Sequence, residues 1–385
     1  MWKRVIAIAL SAVLTLCGIP AARAVPTEAV EISAPSAILM DAATGTVLFE
    51  KNANERLAPA SVTKVMTLLL VMEALDSGRI GWDDTVTASE AAAGKGGSQV
   101  YLEVGEQMSM DDMLKSVVVS SANDCATALA EHVAGSESAF VAMMNERAAQ
   151  LGLTDTHFVN CTGLDDEPNA AEHLTTAHDL AVMSRELLKH TEIKKYTTIW
   201  MDTVRNGQFG LSNTNKLVRF YEGTTGLKTG YTSAAGHCLS ATAERDGMEL
   251  IAVVMHCASS SDRFQSAKAL LNYGFANYAL VSAQPPEPLS DVAVLLGRQS
   301  VLTPVLQETA SILIEKSEQA RVTKTVTLAE EVTAPVAAGQ QLGTLTIATD
   351  TRTLAEIPIV APAAIEKLTL WEMAVRLLRR ACMGN

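Results

Sequence analysis

The sequence predicts an α+β domain, then a small all-β domain and a terminal amphipathic helix, on three observations. Strand-like alternation occurs at both ends of residues 25–281, with helical periodicities between them. Pro285, Pro286 and Pro288 then mark a linker, and short alternating segments separated by turn residues fill residues 289–362. Residues 363–385 place Leu368, Leu370, Trp371, Met373, Ala374, Val375, Leu377 and Leu378 on one helical face, with Glu372, Arg376, Arg379 and Arg380 on the other.

Each element has a local reason. Residues 37–40 and 46–50 alternate around a turn at Gly45 and read as a strand pair. A helix follows Pro59, a residue suited to helix entry, and its run from Val65 to Leu75 is apolar apart from Thr67 and Glu73, so it belongs in the middle of the domain. Ser109 reads as an N-cap, with Asp112 three residues on and Met108 facing Met113 as a staple. That helix ends at residues 120–123, where Ser, Ser and Asn compete with the backbone for hydrogen bonds and form a connecting loop. Helical faces return at residues 126–133, 140–151 and 176–190. Residues 226–231 read as extended, and 238–243 and 249–257 form a hairpin across Asp246-Gly247. A capped helix over 261–275 closes the unit, and strands are expected at 292–296, 311–315, 322–328 and 342–348.

The chain of 385 residues carries a net charge of -13, which argues against a nucleic-acid surface and suits a secreted enzyme. Residues 1–24 read as an export signal: Lys3 and Arg4, an apolar run over 5–19, then Ala22-Arg23-Ala24 as a cleavage site. The mature chain is therefore expected to begin near Val25, outside the cytoplasm. Of the six cysteines, Cys17 leaves with the signal, and the remaining five have no regular spacing, so neither a disulfide framework nor a zinc site is indicated. Cys238 and Cys257 lie in neighbouring expected strands, where either a bridge or two thiols fit. Charge within the terminal helix rules out spanning, while its apolar face with Trp371 and three arginines fits an anionic membrane surface; packing on the β domain is the alternative.

The chemistry-bearing residues fall in three places. Ser61 and Lys64 lie one helical turn apart, so the amine reaches the hydroxyl and can act as its base. Ser121 and Asn123 occupy the inter-helix loop. Lys228, Thr229 and Gly230 lie on a strand, where Gly230 removes a side chain so that an extended peptide can approach. In this order the S-x-x-K, S-x-N and K-T-G motifs resemble those of the penicillin-interacting serine acyltransferases. Residues 58–64 (APASVTK), 97–103 (GSQVYLE), 121–124 (SAND), 162–164 (TGL), 173–180 (HLTTAHDL) and 226–232 (GLKTGYT) are closer still to the low-molecular-mass D-alanyl-D-alanine carboxypeptidases, peptidase family S11.

The resemblance implies a penicillin-binding, β-lactamase-like transpeptidase fold, an antiparallel sheet with helices, bearing a β-sandwich-like C-terminal domain. It implies that Ser61 attacks the penultimate D-Ala of a peptidoglycan stem peptide, with Lys64 as base and Ser121 relaying a proton to the leaving nitrogen. Asn123 would hold the Lys64 amine and the substrate amide, Lys228 and Thr229 the terminal carboxylate, and the Ser61 and Tyr231 N–H groups the oxyanion. Lys228 is expected to stay cationic and, by its like charge together with partial burial, to keep Lys64 neutral. Arg263 is a second carboxylate candidate, or else a solvated first-turn arginine. β-Lactams are the implied inhibitors. No cofactor or metal is implied: His173 and His178 have no acidic partner completing a helical metal motif. Asp165, Asp166 and Glu167 read as a solvated acidic loop. Glu167 invites comparison with class A β-lactamases, but its flanks match the carboxypeptidases. A non-catalytic wall scaffold of the same fold is the remaining alternative.

Overall fold

The computed structural model describes residues 30–166, 169–308 and 311–383. The expected export signal, with Cys17, and Glu167 lie outside the described residues, as do the side chains of Arg379 and Arg380.

A five-stranded antiparallel sheet orders its strands Val47–Lys51, Ser36–Asp41, Met248–Cys257, Gly236–Arg245 and Thr224–Thr232. The N-terminal hairpin thus docks against the C-terminal one, as the alternation at both ends of the domain required. Asp246 and Gly247 both take positive φ, +51° and +76°, which is what a two-residue hairpin turn demands. The two faces bury different halves of each strand. Ile251, Val253 and Met255 enter one core with Ile38 and Met40; Leu250, Ala252 and Val254 enter the other with Ala37 and Leu39.

The second face carries the helix Ser260–Asn277, the first face the helices Lys64–Asp76 and Ala177–Lys189. Every residue from Lys64 to Met72 is buried, so this helix is enclosed on all sides. Ser109, Thr176 and Ser259 cap their helices by accepting the N–H of Asp112, Asp179 and Asp262, each an acid in the first turn where the helix dipole favours it. A hairpin of Met201–Val204 and Phe209–Ser212, absent from the sequence expectation, turns through Asn206-Gly207 and lies near the helix Met110–Val119.

The C-terminal region holds a three-stranded and a four-stranded sheet, each with its own small core. One strand departs from expectation. Ile312–Glu315 joins neither of these sheets and pairs antiparallel with Tyr278–Val281, which leaves the helix Ser260–Asn277. The open edge of Tyr278–Val281 supplies the backbone partners that this four-residue segment needs. Lys316 reinforces the junction by donating to the Phe275 carbonyl at 2.5 Å.

The terminal helix Leu370–Met383 opens with a reciprocal cap: Thr369 Oγ1 accepts the Glu372 N–H at 3.2 Å, and the Glu372 carboxylate accepts the Thr369 N–H at 2.8 Å. Its polar face is tied to the β domain by Glu372 to Arg298 at 3.2 Å and by Arg376 donating to the Gly297 carbonyl at 3.1 Å. Leu370, Trp371, Leu377 and Leu378 stay exposed. Among the described residues no helix is long and apolar enough to cross a membrane. Cys238 and Cys257 are buried free thiols, as are Cys125 and Cys161.

Candidate active site

The chain reaches the site through a tight turn. Ala60 takes φ +48°, and residues Ala60–Thr63 form a short 3-10 turn before the α-helix begins at Lys64. This turn leaves Ser61 half-buried and aims the fully buried Lys64 side chain back at it. Lys64 Nζ lies 3.0 Å from Ser61 Oγ, 2.5 Å from Asn123 Oδ1 and 2.8 Å from the Thr162 carbonyl. Two of these partners only accept. A neutral amine can therefore donate to both and turn its lone pair to the Ser61 hydroxyl. Burial is the main force toward that form, lowering the Lys64 pKa from 10.5 to about 7 against the opposing charges of Cys161 and Asp124.

Asn123 is itself braced. Its Nδ2 donates to the Gly96 carbonyl at 2.7 Å, and its backbone N–H to the Ser98 carbonyl at 2.7 Å. Ser121, two residues earlier, is buried with φ +65°, which turns the chain between the two helices at this point. The neighbouring Asp124 is buried and accepts the N–H groups of Val100 and Leu102, each at 3.1 Å, so the Gln99–Leu102 loop is pinned beside the site.

The third segment is the edge strand Thr224–Thr232. Gly230 is required on its inner side: a Cβ there would lie 2.7 Å from the Pro59 carbonyl oxygen and 3.0 Å from Val62 N. Its purpose differs from the expected one. The missing side chain admits the serine turn itself; Tyr231, the next residue, is exposed and stacked on His237 with centroids 4.3 Å apart. Thr229 Oγ1 donates to Thr214 Oγ1 at 2.7 Å, and Thr214 N–H to the Val119 carbonyl at 3.1 Å, so Thr214 ties the strand to the segment before Ser121.

Two electrostatic expectations are corrected. Lys228 is fully buried, and its pKa is pushed well below 10.5, by burial first and then by the charges of Lys64 and Arg263. It donates to the Thr229 carbonyl at 2.9 Å. Burial, rather than a cationic Lys228, is thus what lowers Lys64. Arg263 is neither solvated nor aimed at the cleft: it is buried and donates to the Gly230 carbonyl at 3.0 Å, while its Nε has no partner among the described residues. It braces the strand from behind, because the helix Ser260–Asn277 covers the opposite face of the sheet.

One turn escaped the sequence reading. Asn160 Oδ1 accepts the N–H groups of Thr162 and Gly163 at 3.1 and 2.7 Å, shaping the loop whose carbonyl holds Lys64. Asp165 and Asp166 lie just beyond it in the sequence and are exposed. Among the described residues no cluster of His, Cys, Asp and Glu has metal-binding geometry.

An antiparallel sheet, a tight turn bearing Ser61 at the entry to an enclosed helix that begins with Lys64, a loop offering Asn123 and an edge strand offering Lys228 define the penicillin-binding class of serine enzymes. Residues 22–259 match the family model of D-alanyl-D-alanine carboxypeptidase, and residues 283–367 that of the penicillin-binding protein 5 C-terminal domain. The chain is 42% identical over 339 residues to the D-alanyl-D-alanine carboxypeptidase DacF of Bacillus subtilis, covering 87% of this chain and 86% of that protein. It is 34% identical to DacC of Escherichia coli, covering 88% and 86%. Penicillin-binding protein 5 of Haemophilus influenzae superposes with a TM-score of 0.72 at 31% identity, covering 88% of this chain and 98% of that one. The chain belongs to the D-alanyl-D-alanine carboxypeptidase family, peptidase S11.

Proposed function

We propose that this protein is a serine-type D-Ala-D-Ala carboxypeptidase that removes the terminal D-alanine from peptidoglycan stem peptides through an acyl-enzyme on Ser61. The observation that carries this reading is the buried Lys64 amine 3.0 Å from Ser61 Oγ, held by two acceptors that leave its lone pair for the hydroxyl proton. Ser61 Oγ attacks the penultimate D-Ala carbonyl as Lys64 takes its proton. The oxyanion is received by the N–H groups of Ser61 and Tyr231, each donor worth about 3 kcal/mol. Ser121 passes a proton to the leaving nitrogen, and water then cleaves the ester with Lys64 again as base.

Lys228 and Thr229 receive the terminal carboxylate. Burial disfavours the Lys228 charge and the arriving anion favours it, so the substrate carboxylate supplies the counter-charge that this buried amine otherwise lacks. Arg263 contributes through the strand, by fixing Gly230. β-Lactams acylate Ser61 by the same path and leave a slowly cleared ester.

Residues 25–281 form the catalytic unit, 289–362 a β domain, and 363–385 the membrane-associating segment. The protein acts outside the cytoplasm, attached peripherally through the exposed apolar side of its terminal helix; exposed Trp371, Leu377 and Leu378 support this. Fluorescent penicillin is expected to label the wild type and not Ser61→Ala, and the purified chain is expected to release D-Ala from diacetyl-Lys-D-Ala-D-Ala. Labelling of a folded Ser61→Ala variant overturns the assignment, and rapid penicillin turnover without a lasting adduct assigns a β-lactamase instead.

A further inference from the structure

The direction of the Ser61 N–H is set by its own peptide unit. That unit is planar, so whatever grips the Ala60 carbonyl also aims the Ser61 amide in the opposite direction. Two groups grip it. Thr63 Oγ1 donates to the Ala60 carbonyl at 2.8 Å, and Gly163 lies so close that a Cβ there would be 1.9 Å from the same oxygen. Ala60 is a non-glycine residue at φ +48°, a conformation that needs such support. The Ser61 N–H has no backbone acceptor among the described residues.

Thr63 is in turn held from a distant part of the chain. His173 Nε2 lies 2.8 Å from Thr63 Oγ1, and His173 Nδ1 accepts the Val159 N–H at 3.1 Å. The acceptor role of Nδ1 places the proton of the neutral ring on Nε2, which donates to Thr63 and leaves the hydroxyl hydrogen for Ala60. The ring is buried and packs edge-on against Phe158, with centroids 5.6 Å apart. Three hydrogen bonds therefore run in one direction: Val159 N–H to imidazole, imidazole to hydroxyl, hydroxyl to the Ala60 carbonyl.

We propose that His173, acting through Thr63, is a positioning residue for acyl transfer: the relay fixes the Ala60–Ser61 peptide so that the Ser61 N–H meets the developing oxyanion. The proposal rests on Ser61 being the nucleophile. Neither His173 nor Thr63 touches the reacting atoms, so the relay acts on kcat rather than on substrate binding.

The test uses the full chain and three readouts: kcat and KM for D-Ala release from diacetyl-Lys-D-Ala-D-Ala, the penicillin acylation rate, and affinity for a peptide boronate that mimics the tetrahedral oxyanion. Thr63→Val, which keeps the shape and removes the hydroxyl, is expected to lower kcat and acylation about 10- to 100-fold with KM little changed. Boronate affinity falls with kcat. Thr63→Ser restores all three. His173→Asn, too short to reach Thr63, is expected to lose a similar factor, and in the double variant with Thr63→Val to add nothing further. Wild-type kcat in Thr63→Val, equal losses in Thr63→Val and Thr63→Ser, or multiplying losses in the double variant overturn the relay. If Thr63→Val does not fold, His173→Asn decides: an unchanged kcat refutes the proposal, and a fall in kcat and boronate affinity at constant KM supports it. Penicillin labelling of Ser61→Ala, measured alongside, reports separately on the nucleophile.

Discussion

Lowering the pH should switch off acylation at a midpoint set by one buried amine. Lys64 is pulled from 10.5 to about 7, a bias of roughly 5 kcal/mol toward the free base. At pH 7 about half the molecules then hold a Lys64 ready to accept a proton; at pH 6 roughly one tenth do, and at pH 8 about nine tenths. The acylation rate with fluorescent penicillin, measured by rapid quench from pH 5 to 10, is expected to rise tenfold per pH step below about 7 and to level above it. The folding linkage has the matching sign. The unfolded chain binds this proton up to 10.5 and the folded chain only up to about 7, so the site costs stability below the lower value and the cost fades as pH rises toward the upper one. Lys64→Met, which cannot charge, should therefore gain in Tm relative to wild type as pH falls from 9 to 6. An acylation rate flat from pH 5 to 9, or a midpoint near that of a free lysine, refutes the reasoning.

Gly163→Ala is expected to destabilise by roughly 2–5 kcal/mol, since φ +83° and a 1.9 Å approach to the Ala60 carbonyl oxygen act together; chemical denaturation measures it. Arg263→Met, which keeps the bulk and removes the charged donor to Gly230, should cost about 1.5–3 kcal/mol in the same assay and weaken penicillin acylation. His173, held to about 4 by burial, then by His157 and Lys64, imposes no folding cost above its ordinary 6.5 and a growing one as pH falls through 6.5 toward 4. The Tm gap between wild type and His173→Asn is therefore expected to narrow between pH 7 and pH 4. Deletion of residues 363–385 should abolish sedimentation with anionic vesicles and leave D-Ala release intact; vesicle binding by the truncated chain would place the attachment elsewhere.

The central sheet was legible because both of its halves announce themselves locally, by alternation on either side of Gly45 and of Asp246-Gly247. The helix beginning at Lys64 was legible from its run, apolar apart from Thr67 and Glu73. Ser61, Lys64 and Asn123 could be named from spacing and resemblance, and the hydrogen bonds of Lys64 join all three. What sequence could not supply was depth. Lys228 and Arg263 carry the same charge on paper, and only their burial reveals that one is pushed toward neutrality and the other serves the strand's backbone. Gly230 was rightly singled out, but whether a bare Cα faces a ligand or the protein's own chain depends on which side of the strand it occupies. The Asn206-Gly207 turn signal was present, yet its flanking strands are four residues each and mixed in character. Asn160 shapes a local side-chain turn and Thr214 links distant segments through single hydrogen bonds, and periodicity encodes neither. The strand Ile312–Glu315 alternates like its neighbours, and nothing in four residues names its partner.

In the proposed mechanism the loop of residues 160–164 handles two functions with adjacent atoms: the Thr162 carbonyl holds the Lys64 amine, and the bare Cα of Gly163 seats the Ala60–Ser61 peptide. Proton transfer and charge stabilisation therefore cannot be tuned separately there. A substitution that loosened this loop enough to slow attack on an antibiotic would slow attack on the cell-wall peptide by the same movement, which leaves the segment little freedom to evolve resistance.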